Sequence, residues 1–337
     1  MPGKTDKILL AHGSGGRLSH DLIGSAIFKE LGNPILAELG DSAVLELGGR
    51  RLALTTDSHT VSPLFFPGGD IGRLSVCGTV NDLAAVGARP RYLTLGLVME
   101  EGLDASVLER TLRSIGEAAK EAGVWIVAGD TKVVEKGGAD KLFTNTSGLG
   151  EVLDGVELSP ARIRPGDKVL VTGTMGDHGA AVLSARQDLG FTALSSDVAP
   201  LWGLVERLLA ERCDVKFMRD PTRGGLATVL NEAALGRDFG FRVLESEVPV
   251  RESVRTFCEM LGLDPLYIAN EGKMVVVVSP QDADRALGLL RAHPLGRDAR
   301  LIGEAVAEHK GKVFLTTSIR GSRILDMLVG EQFPRIC

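Results

Sequence analysis

The chain has 337 residues, of which 44% are hydrophobic and 24% charged, a balance typical of a globular protein with room for two domains. The net charge is −6 and no long run of lysine or arginine occurs, so no nucleic-acid-binding surface is expected. No segment has the length and apolarity of a membrane span, and the apolar start is too short for a signal peptide. We therefore expect no membrane association and predict a cytoplasmic location.

The first predicted elements are a hairpin and a helix. Two β-prone runs within residues 43–57 flank a Gly-Gly pair, which predicts a hairpin whose second strand ends at Asp57. Asp70 has the chemistry of an N-cap, and the run after it has helical spacing and stops before Pro90. Asp82 is therefore expected inside a helix.

The chain then continues to alternate strands and helices. Strands are predicted at residues 92–100, 124–134 and 142–152, with a helix opening at Asp104. The polar segment 154–167 contains two prolines and predicts a linker. We accordingly predict an N-terminal domain over residues 1–155.

A second alternating region predicts a C-terminal domain over residues 156–330. It begins with a strand at residue 168 and continues with the following predicted helices and strands: helices near 177–187, 200–212, 224–236 and 281–292, and strands at 273–278 and 312–317. Residues 331–337 follow, and Pro334 prevents a helix from continuing through them. We predict that these residues form a flexible tail.

Carboxylates recur beside small residues at the ends of predicted elements: Asp41, Asp57, Asp82, Asp130 and Asp220. A single aspartate of this kind is most often a turn former or a cap. Five of them favour Mg²⁺, because this ion takes hard oxygen ligands and bridges carboxylates to substrate phosphates. Glu271 precedes the strand at 273–278, where a carboxylate can face a cleft, although an isolated glutamate is most often solvated.

Two glycine-rich segments have backbone N–H groups suited to phosphate. The first contains Gly15, and the second contains Arg223, Gly224 and Gly225 directly before a predicted helix. Neither has the P-loop spacing GxxxxGK[ST], and each alone is as consistent with a glycine turn. Lys132 and Arg223 have the charge to neutralise phosphate, although a surface ion pair is the commoner role.

The four cysteines, Cys77, Cys213, Cys258 and Cys337, are widely spaced. This spacing favours neither a disulfide framework nor a zinc site. Three of them are expected to be buried small hydrophobes. Cys337 differs because it is the last residue of the predicted tail.

Several segments together resemble the HypE family of hydrogenase maturation factors over essentially the whole chain: AHGSGG, LGDSAV, VAGDTKVV, MRDPTRGGLATVLNEAA, ANEGKM and the terminal PRIC. This family shares a superfamily with aminoimidazole ribonucleotide synthetase and selenophosphate synthetase, whose members use ATP to activate an oxygen or a related atom as phosphate. The aspartate-containing segments resemble the superfamily, and the terminal PRIC resembles HypE itself.

The resemblance implies an α/β (α+β) fold of two domains, like that of aminoimidazole ribonucleotide synthetase. It implies a homodimer whose N-terminal domains pair into a barrel-like sheet, with ATP and Mg²⁺ in the cleft between domains. By the same resemblance, four aspartates match positions that hold Mg²⁺-ATP: Asp41, Asp57, Asp82 and Asp220. Lys132 and Glu271 match positions expected beside the reacting group.

The activity implied by the resemblance is the ATP-dependent dehydration of a carbamoyl group on the thiol of Cys337. The product is a thiocyanate that supplies cyanide to the iron of a [NiFe] hydrogenase. The implied partners are the carbamoyltransferase HypF as donor and the HypC–HypD complex as cyanide acceptor. Glu271 is the expected base and Lys132 the expected stabiliser of phosphoryl charge. Ile336 is expected to anchor the tail. Arg335 would favour the thiolate, whereas the adjacent α-carboxylate of Cys337 opposes it by like-charge repulsion, and the sequence does not decide between these two effects.

Three alternatives remain at this point. Aminoimidazole ribonucleotide synthetase would need no terminal thiol. Selenophosphate synthetase would want a reactive cysteine or selenocysteine near the N-terminus, whereas the first cysteine here is Cys77. A non-catalytic scaffold would bind nucleotide only to dock maturation partners, and ATP turnover that depends on a carbamoyl donor would exclude it.

Overall fold

The structure is a computed structural model that describes residues 7–13, 16–319, 321–328 and 335–337. Gly15 and most of the predicted tail, including Pro334, therefore lie outside the described residues. Within the described part of the chain, no helix combines the length and apolarity that a membrane crossing requires.

The N-terminal part contains a five-stranded sheet covered on one face by helices. Its elements are α1 (Arg17–Leu22), α2 (Phe28–Leu31), β1 (Ala43–Leu47), β2 (Arg50–His59), β3 (Phe65–Phe66), β4 (Gly69–Asp70), α3 (Ile71–Ala85), β5 (Ala88–Glu100), α4 (Ala105–Ala122), β6 (Trp125–Val134) and β7 (Leu142–Val152). The sheet has the order β1-β2-β7-β5-β6, so β1 and β6 are its two edges. The predicted hairpin is confirmed as the antiparallel pair β1 and β2.

Helix α3 begins where the sequence predicted. The carboxylate of Asp70 accepts hydrogen bonds from the backbone N–H groups of Gly72 and Arg73, at 2.8 and 3.0 Å, which confirms it as the N-cap. The helix packs against α4 and against β2 and β7, so most of its side chains are buried. Its position places Asp82 next to the strand that carries Asp57.

The C-terminal part contains a seven-stranded sheet with the order β14-β13-β10-β12-β8-β11-β9. Its elements are β8 (Lys168–Val171), α5 (Asp177–Arg186), α6 (Trp202–Ala210), β9 (Val215–Arg219), α7 (Gly225–Ala234), β10 (Gly240–Leu244), α8 (Glu252–Leu261), β11 (Val275–Val278), α9 (Ala283–Arg291), β12 (Arg300–Val306), β13 (Val313–Thr316) and β14 (Ser322–Ile324). Helix α8 and the strands β9, β10, β12 and β14 were not predicted. All four valines of β11 are buried, because this strand lies between β8 and β9 with apolar clusters on both faces.

The two parts share a hydrophobic core. One cluster of buried side chains includes Val80 and Leu93 from the first part together with Leu204 and Val276 from the second. Apolar burial across the junction holds the two sheets together. The site described next lies where these parts meet, while the domain boundary near residue 155 stays a prediction.

Candidate active site

Strand β2 and helix α3 bring two of the predicted aspartates together. Side chains alternate along a strand, so Thr55, Asp57 and His59 share the face of β2 that packs on α3. The hydroxyl of Thr55 donates to Oδ2 of Asp82 at 2.9 Å. Asp57 is inside β2, two residues before its end, rather than at the strand terminus as predicted.

Gly78 of α3 makes room for this arrangement. A Cβ atom at Gly78 would lie 3.0 Å from Oδ2 of Asp57 and 3.0 Å from Nε2 of His59. These two side-chain atoms are themselves 3.0 Å apart. Gly78 was not predicted from the sequence, where its only signal is a glycine inside a predicted helix, a position at which glycine is unfavourable.

The pKa values of the carboxyl groups show that they form one acidic cluster. Burial is the main cause that raises the pKa of Asp220 to about 8, and the negative charge of Asp41 is the second. Burial also raises the pKa of Asp82 well above its usual value, and Asp220 and Asp57 raise it further. For Asp57, burial acts in the same direction but His59 and Arg223 outweigh it, so the pKa is lowered. Interactions of this size require that the groups be close together.

Asp41 belongs to the same cluster but already has a cationic partner. Nε of Arg219 lies 2.7 Å from Oδ1 of Asp41, and Nη1 of Arg219 lies 2.5 Å from Oε2 of Glu232. Burial raises the pKa of Asp41, and Arg219 opposes this change. Arg219 was not predicted from the sequence, although it directly precedes Asp220.

Glu271 lies in the protein interior rather than in solvent. Only 2% of the residue is exposed. Burial raises its pKa well above the usual value, and the charges of Asp220 and Asp57 raise it further. Its backbone N–H donates to Oδ1 of Asp197 at 3.0 Å, while Oε1 has no hydrogen-bond partner among the residues that the structure describes. An ionisable group with this burial and one free oxygen is suited to exchange a proton.

Arg223 connects the two glycine-rich segments. Its Nη1 donates to the carbonyl of Gly13 at 2.6 Å. Gly224 and Gly225 have positive φ angles of 77° and 59°, and a Cβ at Gly225 would lie 2.7 Å from the carbonyl of Leu266. These glycines are therefore required by the backbone. The N–H of Gly225 donates to the carbonyl of Thr222 at 2.9 Å, so this donor is already engaged within the turn.

Lys132 and Asp130 are not part of the acidic cluster of the same chain. Both side chains are exposed on β6, with Nζ of Lys132 3.0 Å from Oδ2 of Asp130. Across the sheet from the cluster to this edge, Asp57 of β2 pairs with Thr146 of β7, which pairs with Leu95 of β5, which pairs with Gly129 of β6, the residue before Asp130. Three strand spacings of about 4.8 Å correspond to about 14 Å, which is beyond direct contact.

Cys337 is docked against the acidic cluster. Its carbonyl accepts from the N–H of Thr60 at 3.0 Å, and Ile336, only 3% exposed, packs in an apolar cluster with Val61 and Leu64. This packing confirms the expected anchor. Burial raises the pKa of the Cys337 thiol to about 12, and Arg223 acts against this increase.

The cation beside this thiol is Arg223 rather than Arg335. Nη1 of Arg335 lies 2.7 Å from Oδ2 of Asp140 and is engaged there. The expectation that Arg335 favours the thiolate was therefore wrong for the docked tail. The sequence order of Arg335 and Cys337 placed them together, but the backbone directs their side chains to different partners.

Among the residues described, no group of three histidine, cysteine, aspartate or glutamate side chains has a geometry ready to hold a metal ion. Mg²⁺ commonly uses only one or two carboxylates, with substrate phosphates and water as its other ligands. The crowded carboxylates of the acidic cluster fit that mode, because a cation would relieve the repulsion that raises their pKa values.

Comparison with family models matches residues 39–152 to the N-terminal domain of AIR synthase related proteins and residues 164–316 to their C-terminal domain. The chain is 51% identical to carbamoyl dehydratase HypE of Bradyrhizobium diazoefficiens, over 97% of this chain and 95% of that relative. It is 46% identical to carbamoyl dehydratase HypE of Escherichia coli, over 98% of this chain and 100% of the relative.

Solved structures agree with these relatives. HypE in complex with ATP has a TM-score of 0.83 at 53% identity, covering 98% of this chain and 100% of that chain. The HypE–HypF complex has a TM-score of 0.87 at 48% identity, covering 91% of this chain and 99% of that chain. The two-domain α/β fold and the predicted resemblance are confirmed, and the chain belongs to the carbamoyl dehydratase HypE family of AIR synthase related proteins.

Proposed function

We propose that this protein dehydrates a carbamoyl group carried on its own Cys337, at the expense of ATP, to give a thiocyanate for the iron of a [NiFe] hydrogenase. The observation that carries the proposal is the docking of Cys337 beside Arg223 and Glu271 in the acidic cluster. Full-length relatives named carbamoyl dehydratase HypE, and a HypE solved with ATP, support it.

The chemistry explains why ATP is needed. An amide oxygen is a poor leaving group, so transfer of the γ-phosphoryl group of ATP to this oxygen, with release of ADP, converts it into a phosphate ester that can leave. Loss of phosphate and of two protons from nitrogen then forms the C≡N bond on sulfur. S-carbamoyl-cysteine and ATP thus give S-cyano-cysteine, ADP and phosphate.

Glu271 is the base in this proposal. Its raised pKa makes it a stronger proton acceptor once ionised, and the nearby Arg223 favours the ionised form. Its free Oε1 is available to a proton on the carbamoyl nitrogen. The surrounding carboxylates and the buried position keep bulk water from competing for that proton.

Asp57, Asp82 and Asp220 are the proposed carboxylates of the magnesium site, where one or two of them would hold Mg²⁺ together with phosphate oxygens of the substrate. When bound, Mg²⁺ supplies charge that offsets the negative charge of the transferred phosphoryl group. Asp41, the fourth predicted ligand, is held by Arg219 and keeps this guanidinium next to the cluster. Arg223 remains the proposed phosphate contact of the second glycine-rich segment, with Gly224 and Gly225 shaping its backbone.

A homodimer through the N-terminal sheet is also proposed. A row of apolar side chains crosses the sheet face opposite α3: Leu54, Leu149, Tyr92 and Trp125. Trp125 is 74% exposed, and most of β6 is exposed on both faces. Pairing of two such faces would bury this row and close a barrel-like centre. Lys132 and Asp130 of one protomer would then be placed to serve the site of the other.

The proposed partners follow from the two ends of the reaction. A carbamoyltransferase of the HypF type supplies the carbamoyl group, consistent with the solved HypE–HypF complex. A HypC–HypD complex in the cytoplasm accepts the cyanide. The predicted flexibility of residues 331–337 would let one sulfur reach donor, site and acceptor in turn.

The test is the mass of the C-terminal peptide after incubation with ATP, Mg²⁺, carbamoyl phosphate and HypF. We expect carbamoyl and then cyano mass on Cys337, with the cyano form requiring ATP, and neither in Cys337→Ala. An unmodified tail in the presence of active HypF would overturn the proposal. ATP binding with no ATP turnover that depends on a carbamoyl donor would favour the scaffold instead.

A further inference from the structure

The last three residues lie along the segment that follows β2 in the manner of an added strand. The N–H of Thr60 donates to the carbonyl of Cys337 at 3.0 Å, and the N–H of Ser62 donates to the carbonyl of Arg335 at 3.3 Å. Nε of Arg335 donates back to the carbonyl of Thr60 at 2.8 Å. The alternate pairing fixes an antiparallel register, which sets how far Cys337 extends towards the acidic cluster.

The carbonyl between these two, that of Ile336, points the other way and meets His178. Nε2 of His178 lies 3.0 Å from this oxygen. A carbonyl can only accept, so Nε2 carries the proton and His178 donates. Burial lowers the pKa of His178, which favours the neutral ring with a single N–H.

Ser196 holds the other ring nitrogen of His178. Nδ1 of His178 lies 2.8 Å from Oγ of Ser196, and Oγ also accepts from the N–H of Val198 at 3.2 Å. Because Nδ1 must be the acceptor, the serine hydroxyl donates to it. Val198, Ser196 and His178 therefore form a directed chain of hydrogen bonds that ends on the tail.

His178 has no role in the acidic cluster. It is fully buried, packs edge-on against Phe66, and within the described part of the chain its Nε2 finds its acceptor in Ile336. Without the docked tail, this buried N–H would lose that acceptor at a substantial free-energy cost. The imidazole is thus matched to a peptide carbonyl at one place in the sequence, one residue before the reactive cysteine.

We infer that His178, oriented by Ser196, is a positioning residue that recognises the docked tail and sets the register of Cys337 for dehydration but not for carbamoyl loading. The inference rests on the proposed function. Loading takes place at the donor enzyme with the tail elsewhere, so it does not use this contact. Dehydration requires the docked register and therefore depends on the contact between His178 and Ile336.

The experiment follows total modification of Cys337 and the cyano fraction over time in full-length protein with HypF, carbamoyl phosphate, ATP and Mg²⁺. In His178→Leu we expect loading at the wild-type rate and cyano formation slower by roughly ten- to a hundredfold. His178→Gln, whose amide can donate from a similar position, should recover most of the rate. Ser196→Ala removes the hydroxyl that bonds Nδ1 of His178, so the imidazole keeps its place but is no longer held in one tautomer. This variant should slow cyano formation by a smaller factor, and it replaces His178→Leu as the test if that variant does not fold.

A second measurement needs no partner and no turnover. Alkylation of Cys337 by iodoacetamide, read from the C-terminal peptide mass, should be faster in His178→Leu and Ser196→Ala than in wild type, and near wild type in His178→Gln. Equal alkylation and equal cyano formation in all four proteins would overturn the inference, as would slowed loading in parallel with slowed dehydration. Absence of cyano product in the wild type would instead reject the proposed function, with the alkylation result still deciding the docking.

Discussion

Cys337, the residue that carries the proposed chemistry, is docked with its thiol in the protonated form. With its thiol pKa raised to about 12 by burial, the docked cysteine is protonated at neutral pH. A thiol of this kind is a poor nucleophile. In the proposed reaction, carbamoyl loading would therefore occur after the tail has left the cluster, and the docked position would serve the later step.

At the residue scale, Glu271→Gln should block dehydration while loading continues. The amide keeps the size of the side chain but cannot accept the nitrogen proton, so carbamoylated Cys337 should accumulate in the peptide mass assay. Cys337→Ala serves as the comparison, because it should bind ATP nearly as well as wild type but remain unmodified. Thiocyanate formation at the wild-type rate would remove Glu271 from the mechanism.

A pH effect belongs to Asp177, the first residue of α5. Burial and the charge of Asp197 raise its pKa to about 6. The folded protein thus binds a proton that the unfolded chain has lost between about pH 4 and pH 6, so this group's contribution to stability falls as pH rises through that window. Asp177→Asn should flatten the dependence in urea unfolding at pH 4.5 and pH 7. If the free energy of unfolding changed between pH 4.5 and pH 7 by the same amount in Asp177→Asn as in wild type, Asp177 would be excluded as the source of this pH dependence.

At the scale of elements, helix α3 lies against β2 only because Gly78 leaves room for polar side chains. Gly78→Ala would place Cβ against Asp57 and His59, so we expect weaker binding of Mg²⁺-ATP by isothermal titration. Gly116→Ala on α4 is the matched control, because a Cβ there meets no atom within 4 Å. The control should leave binding unchanged and stabilise the protein by up to about 1 kcal/mol. Equal affinities in the two variants would refute the role of Gly78.

The elements that the sequence predicted well are those with local signals. The hairpin at β1 and β2 and the caps Asp70 and Asp104 depend on neighbouring residues, and they agree with the structure. Short strands such as β14 have too few residues to show a period. The pairing of Arg219 with Asp41 and the hydrogen bond between His178 and Ile336 join residues far apart in the chain, which no local pattern contains.

At the scale of the whole molecule, the exposed apolar row on the N-terminal sheet predicts self-association. Trp125→Glu should convert the proposed dimer into a monomer in light scattering, because it places a charge at the β6 end of the apolar row that the dimer would bury. Ile319→Glu is the control, since Ile319 is also a large exposed apolar residue but lies outside this sheet. If Trp125→Glu and Ile319→Glu were both dimers, or both monomers, the result would argue against pairing through this face.

The docked tail also has a stoichiometric meaning. Because the reacting carbon is covalently attached to the chain that activates it, the site sees its substrate at a high effective concentration, whatever the concentration of free carbamoyl donor. The same tether means that each polypeptide carries one cyanide equivalent and holds it until the tail is released. In the proposed reaction each chain would therefore transfer one cyanide per cycle. Titration of an iron-bearing acceptor with fully cyanated protein should reach its endpoint at one cyanide transferred per chain.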